Sequence, residues 1–368
     1  MSKTDSRPNY FLREFDRPLY LATHFGFIPI EAPRVTEEDL KIIKNSPRAG
    51  ELSALLRTYL EKEFSNLSHP LALSYKKNRG YSLHLLGLQS ALAESILIRT
   101  ALSILEDFGH KHLVVEVNSM GDKDSIESYE RELHHYLKKI IDEVSAEHRK
   151  VLKEDIFELL KLNLLDEIKE NIPPSIASLS SSSREHFKEA LEYLESLGVE
   201  FRLSCDLFEN KHYASHTIFV IRDLDDESVL ASGARYSRLS KKLGFKKELP
   251  AISMHISASK KLAQKERIYK DLPKPKFYLV QLGREAKMKS LPLIELLRTN
   301  HIPIYHFLGK DKIVPQLQNA ENLKVPYLLI VGQKEALEDS VTIRNCNTRA
   351  QETVRMADLP AFLKNITL

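Results

Sequence analysis

Cysteine is scarce in this chain: Cys205 and Cys346 are the only two among 368 residues. They fall in different candidate domains, so neither a disulfide framework nor a metal site follows, and both read as reduced, intracellular thiols. Long apolar runs are missing too. No stretch approaches membrane-spanning length, and the opening Met1-Ser-Lys-Thr-Asp-Ser-Arg-Pro8 has no apolar signal core. A cytoplasmic location with no membrane partner is therefore expected. Charge of one sign is not in excess: 54 Lys and Arg stand against 51 Asp and Glu, a net +3. That is too small to imply a nucleic-acid partner, so any basic footprint must be local. No glycine-rich phosphate loop follows the strand expected at Phe277–Leu282, which argues against a flavodoxin-like nucleotide site. What is present, 42% hydrophobic and 29% charged residues, is ordinary globular composition, long enough for two or three domains.

Apolar spacing at Leu12, Phe15, Leu19 and Ala22 predicts a helix from Phe11 to His24, ended by Gly26, then a strand at Phe27–Ile30. Leu52, Leu55, Leu56, Tyr59 and Leu60 give a second helix. A helix from Gln89 to Phe108 stops at Gly109, and His112–Val117 is a strand. In the turn Asn118-Ser-Met-Gly-Asp122, Asp122 reads as the cap of the next helix rather than as a catalytic or metal carboxylate. From Asp124 to Asn171 the chain is helical and charge-laced. The adjacent His134 and His135 point apart on a helix and read as solvated. Ser182 and Glu185 are spaced as a capping box for a helix to Leu197, and Val199–Leu203 is a strand. His212 and His216 are four apart, but strand context denies them the helical geometry of a metal pair. No metal and no cofactor is expected.

Thr217–Arg222 and Ser228–Ala231 predict a hairpin turned by Asp223, Asp225 and Asp226. In Ala231-Ser-Gly-Ala-Arg-Tyr-Ser-Arg-Leu239, Gly233 lets the backbone pass close to whatever lies on the sheet face. Arg235 and Tyr236 follow, where the strand meets a short helix ending near Gly244. Beyond a proline-bearing stretch, strands at Phe277–Leu282, Ile302–His306 and Tyr327–Val331 alternate with helices at Arg284–Thr299 and Asp311–Lys324. That alternation predicts a parallel sheet with covering helices. Lys287, Lys289, Arg344 and Arg349 are candidate RNA contacts there, and equally fit solvated surface charges.

The 231–239 stretch resembles the A-G-G-R-Y-D-x-L signature of histidyl-tRNA synthetases, the class II aminoacyl-tRNA synthetases specific for histidine. The likeness runs in order over most of the chain. The first helix and strand look like class II motif 1, and Asn118–Asp122 matches the family's N-S-x-G-D turn. Gly332-Gln-Lys-Glu335 and Val341-Thr-Ile-Arg344 resemble turns of the anticodon-binding domain of histidyl-, prolyl-, threonyl- and glycyl-tRNA synthetases. The resemblance implies an α+β, class II synthetase-like core on an antiparallel sheet over residues 1–262, with a helical insertion at about 123–185. It further implies a linker at 263–276 and an α/β anticodon-binding-like domain at 277–368. Its implied partners are a second copy in a homodimer, tRNA through the C-terminal domain, and a protein partner.

Departures cluster where the family does its chemistry. Arg48 stands where L-R-P-E-G-T has the glutamate that takes the amino group of histidine. The motif 2 arginine of F-R-x-E-R has no counterpart between Pro70 and Asn78; Arg79 aligns with the far end of that loop, and Gln89 replaces the closing glutamate. In the block L-V-R-G-L-D-Y-Y-T-G, Glu209 replaces the arginine on the α-phosphate, His212 the aspartate, Ala214 the second tyrosine and His216 the glycine, while Tyr213 is kept. Motif 3, G-x-x-x-G-x-E-R in the family, has Ser253, Ser257, Ser259 and Lys260 in place of its glycines, glutamate and arginine. The expectation is a vestigial pocket of Arg48, Gln89, Glu209, Tyr213, Gly233, Arg235, Tyr236 and Lys260 with no catalytic residue. The chain then reads as a non-catalytic regulator binding tRNA or protein. An active histidine–tRNA ligase with a divergent site, and a regulatory subunit of the ATP phosphoribosyltransferase type, stay open beside it.

Overall fold

Pro18 sets the start of the first helix. The computed structural model describes residues 11–42, 47–62, 64, 70–77, 80–161, 170–257, 267–270, 274–310 and 312–367. In it α1 spans Arg17–Thr23, with the proline in its first turn, where a missing N–H costs nothing. Upstream, Phe11 and Phe15 are drawn into β-bridges with Ile30 and Tyr269, so the helix expected from Phe11 keeps only its C-terminal half. The next elements are β1 (Ile28–Pro29), α2 (Glu37–Ile42), α3 (Pro47–Glu61), β2 (Leu71–Lys77), β3 (Gly80–Leu86), α4 (Leu92–Asp107) and β4 (Leu113–Ser119). The insertion contributes α5 (Lys123–Ile140) and α6 (Ala146–Glu154), followed by α7 (Ser181–Ser196). Then come β5 (Phe201–Leu203), β6 (Ser215–Asp223), β7 (Val229–Arg235), α8 (Leu239–Lys242) and β8 (Ala251–Ser257).

These eight strands form one sheet in the order β1-β2-β3-β8-β7-β6-β4-β5. The six inner strands are antiparallel, and each edge strand pairs in parallel with its neighbour. Strand alternation sends Leu83, Leu85, Ile252, Met254, Ile256, Phe219, Ile221, Val115 and Val117 to one face, where they share a core with α1, α4 and α7. The opposite face carries Leu73, Tyr75, Ile218 and Ala234 against α3 and α5. Asp122 caps α5 as expected, accepting the Ser125 N–H at 2.9 Å. It also accepts the hydroxyls of Ser125 (2.7 Å) and Ser180 (2.6 Å). Although burial opposes ionisation, these bonds hold its carboxyl well below the usual range. The cap of α7 is Ser180, whose side chain accepts the Ser183 N–H, and not Ser182; Ser182 turns towards Asp122 at 3.3 Å.

A second sheet holds β9 (Phe277–Gln281), β10 (Ile304–His306), β11 (Tyr327–Val331), β12 (Ser340–Asn345) and β13 (Gln351–Arg355), with α9 (Arg284–Thr299), α10 (Ile313–Asn322), α11 (Gln333–Leu337) and α12 (Leu359–Thr367). Its order is β10-β9-β11-β12-β13. The first three strands are parallel, as the alternation with helices predicts, but β12 and β13 add an antiparallel hairpin. Val341–Arg344, expected as a turn, is strand because Asn345 turns the chain immediately after it, its side chain accepting the N–H groups of Asn347 and Thr348.

The two sheets share one apolar core. Glu295 of α9 pairs with Arg298 and accepts the Ser103 hydroxyl of α4 at 3.2 Å, with Arg99 at 3.6 Å. The His306 ring meets the carbonyl of His24 at 3.1 Å. Among the described residues no helix is long and apolar enough to cross a membrane.

His24, His84, His216 and His306 are each pushed from 6.5 down to about 4, chiefly by burial. In the unfolded chain these rings take protons at the ordinary value, so between pH 6.5 and 4 the unfolded state binds more protons and stability falls with pH. Each ring contributes up to roughly 3 kcal/mol to that fall. Urea melts of the full chain should give a markedly lower midpoint at pH 5 than at pH 7; an unchanged midpoint would contradict the burial of these rings.

Candidate functional site

Cross-strand register lines up a polar row on the α3 face of the first sheet. From β2 to β5 the neighbours are Tyr75, Ser82, His255, Ser232, Val220, Glu116 and Arg202. The next row reads Leu73, His84, Ser253, Ala234, Ile218 and Asn118. Glu51 reaches down from α3 and accepts the Ser82 hydroxyl at 2.9 Å, with Lys77 at 3.3 Å. Burial works against its ionisation, but Ser82 and Lys77 win and its carboxyl stays below the usual value. Ser82 also lies 3.2 Å from His255 Nδ1. His84 Nε2 meets the Tyr75 hydroxyl at 3.0 Å, while its Nδ1 is buried without a hydrogen-bond partner. At the far end Glu116 is held by both Arg202 and Arg222.

The expected pocket residues divide between the two faces. Tyr213 and Tyr236 are buried on the α3 side. The Tyr236 hydroxyl donates to Glu209 Oε2 at 3.0 Å, and Glu209 Oε1 takes the Asn210 N–H at 3.1 Å. Lys242 Nζ sits 4.5 Å over the Tyr213 ring. Gly233 and Arg235 lie on the other face, under α4. A Cβ on Gly233 would stand 2.6 Å from the Phe219 ring and 2.7 Å from the Ser253 carbonyl oxygen, so the occupant its sequence position called for is the protein itself.

Arg235 is the clearest departure from the expected pocket. It is wholly buried, and its Nε and Nη2 donate to the two oxygens of Glu94 at 2.9 and 2.6 Å. Nη1 donates to the Leu88 carbonyl at 2.9 Å and Nη2 also to that of Ser90 at 3.1 Å. His186 completes the group, 3.0 Å from Glu94 Oε1. Desolvation would raise the Glu94 carboxyl, but Arg235 and His186 overcome it and hold the group far below the usual range. Arg235 is therefore a clamp joining β7 to the start of α4, not a pocket residue. Gln89 lies exposed between the two carbonyls the clamp uses. The side chain of Arg48, and Arg79 and Lys260 altogether, lie outside the described residues.

His216, where the family has glycine, adopts φ 53°, the left-handed region, at a break in the β6–β7 register. Its ring stacks 4.6 Å from His186 rather than facing His212, so the two histidines spaced four apart do not converge. The Glu51–Ser82–His84–His255 group escaped the motif reading. Its signal was the polar residue at every second position of Tyr81-Ser-Leu-His-Leu85 and Ile252-Ser-Met-His-Ile256. Beyond the first sheet, Lys289 of α9 is paired with Asp339, next to the start of β12. Arg344 lies four residues along that strand, about 13 Å away, with exposed Arg349 in the turn beyond. The lysine and arginine candidates therefore mark opposite ends of the second sheet.

Removing one partner of the buried clamp strands the other. Glu94→Ala should lower unfolding free energy by about 3–5 kcal/mol, read by urea denaturation at pH 7. A loss below about 1 kcal/mol would show that the pair behaves like a surface ion pair.

A model of the anticodon binding domain matches residues 276–366. The histidine–tRNA ligase of Bacillus subtilis strain 168 is 25% identical over 299 residues, covering 79% of this chain and 70% of that protein. The histidine–tRNA ligase of Bacillus velezensis FZB42 is 25% identical over 360 residues, covering 91% and 85%. In fold, the chain is similar to the apo histidyl-tRNA synthetase of Staphylococcus aureus, with a TM-score of 0.53 and 20% identity over 93% of this chain and 92% of that one. In its antiparallel core, inserted helices, signature turns and C-terminal anticodon binding domain the chain is similar to the histidyl-tRNA synthetases.

Proposed function

We propose that this chain does not form histidyl-adenylate and acts as a regulator that binds tRNA through its C-terminal domain, as a homodimer. The observation that carries the reading is Glu209. By resemblance it occupies the place of the arginine on the α-phosphate, and it is fixed there by Tyr236 and the Asn210 N–H. A carboxylate 4 Å from a phosphate charge costs about 4 kcal/mol at an effective dielectric near 20. In the arginine's place, Glu209 acts against a bound nucleotide with reversed sign. Arg235, the one signature arginine retained, is consumed by Glu94 on the far face of the sheet. Arg202 and Arg222 are held by Glu116. The match of residues 276–366 to the anticodon binding domain supports tRNA as the partner. Within that domain Arg344 and Arg349 are the better contacts, since Lys289 already has Asp339.

A filter-binding titration of the full chain at fixed salt tests this, comparing a histidine-accepting tRNA with random RNA of equal length. The tRNA should bind more tightly, and the Arg344→Ala/Arg349→Ala variant should lose about tenfold. Equal affinity for the two RNAs would overturn the reading.

A further inference from the structure

Several cations in this protein are held by carboxylates. Lys211 has Glu130 and Asp155, Arg17 has Asp107, Arg57 has Asp39, and Arg202 and Arg222 share Glu116. One stretch instead gathers five cations close together. Arg238, Lys241, Lys242, Lys246 and Lys247 fall within ten residues around α8, and among the described residues none is ion-paired. Their contacts are of other kinds. Arg238 Nη1 donates to the Lys211 carbonyl at 3.1 Å, Lys241 Nζ to the Lys246 carbonyl at 2.8 Å, and Lys242 lies over Tyr213. All four lysines are exposed.

The positive field is left uncompensated. Lys242 is pushed below its ordinary value by desolvation and then by Arg238. His212 is pushed down by desolvation and then by Lys242 and Lys211. Two polar atoms at the base of the patch also lack an acceptor. Ser237 Oγ, on a residue only 3% exposed, and Arg238 Nη2 are both buried with no hydrogen-bond partner. Ser237 stands where the signature A-G-G-R-Y-D-x-L has its aspartate, so a neutral hydroxyl replaces a carboxylate beside Arg238. Buried donors are nearly always satisfied in native proteins, so two left bare side by side invite an acceptor from outside.

We propose that Arg238, Lys241, Lys242, Lys246 and Lys247, with Ser237 beneath them, form a second RNA contact that takes the phosphate backbone. Four lysines spread over α8 and the turn that follows it suit a run of phosphates better than a single small anion, which converging side chains would grip. Leu243 and Phe245 within this stretch are packed against the core and not exposed, so the patch offers little of the apolar anchoring an acidic protein partner would use; backbone phosphates need only the charge. This inference rests on the reading of the chain as an RNA binder and adds a site in the N-terminal part to the one proposed in the C-terminal domain.

The test is the salt dependence of tRNA affinity, measured on the full chain between 50 and 200 mM KCl by filter binding. Each phosphate contact contributes about 0.7–0.9 to the slope of log K against log salt. The variant Lys241→Ala/Lys242→Ala/Lys246→Ala/Lys247→Ala should reduce the slope by about 2–3 and weaken all RNAs alike. Replacing the same four lysines by arginine should keep the wild-type slope. If wild type prefers tRNA and the alanine variant keeps its slope, the patch is overturned while the RNA reading stands. If wild type binds no RNA, both fall.

Discussion

The Arg235–Glu94 pair is the constraint on which the core depends. At 0% and 1% side-chain exposure, two opposite charges are tolerable only because nearly every polar valence is used. The guanidinium gives two bonds to the carboxylate and two to the carbonyls before α4, and His186 takes a further place on Glu94. This locks the end of β7 to the helix that covers one side of the sheet. Because strand neighbours alternate, anchoring Arg235 to that side fixes Ala234 and Tyr236 on the other, and with them the polar rows running from Tyr75 to Arg202.

That second face is rich in hydroxyls and imidazoles. Ser82, Ser232, Ser253, His84 and His255 are presented beside the Glu51 carboxylate. Its arginines at the β5 end are neutralised by Glu116, and the loop between β5 and β6 offers Glu209. Free positive charge lies instead around α8, displaced from the sheet to the surface.

Much of the fold was legible because local signals agreed with tertiary context. The strand at Tyr327–Val331 and the helix at Arg284–Thr299 fall where spacing put them. Asp122 caps its helix because its carboxylate meets a ring of serines, some of them nearby in sequence and others distant. Disagreement came where long-range pairing overrode spacing. Phe11 and Phe15 have helical periodicity but are captured by Ile30 and Tyr269. Val341–Arg344 reads as a turn until its two strand neighbours are known. Arg235 could not be assigned to a face from its motif, since only the position of Glu94, 141 residues earlier, decides which side it serves. The Glu51 group went unseen because no motif marks it; alternation within β3 and β8 was its only trace.

Histidine-dependent exchange of pyrophosphate into ATP, measured on the purified full chain, bears most directly on the reversed electrostatics of this site. The structure's account predicts no exchange above background with histidine and magnesium at saturating concentrations. Robust exchange that depends on histidine would contradict it, because adenylate would then be forming beside Glu209 with no arginine from this loop to hold the phosphate.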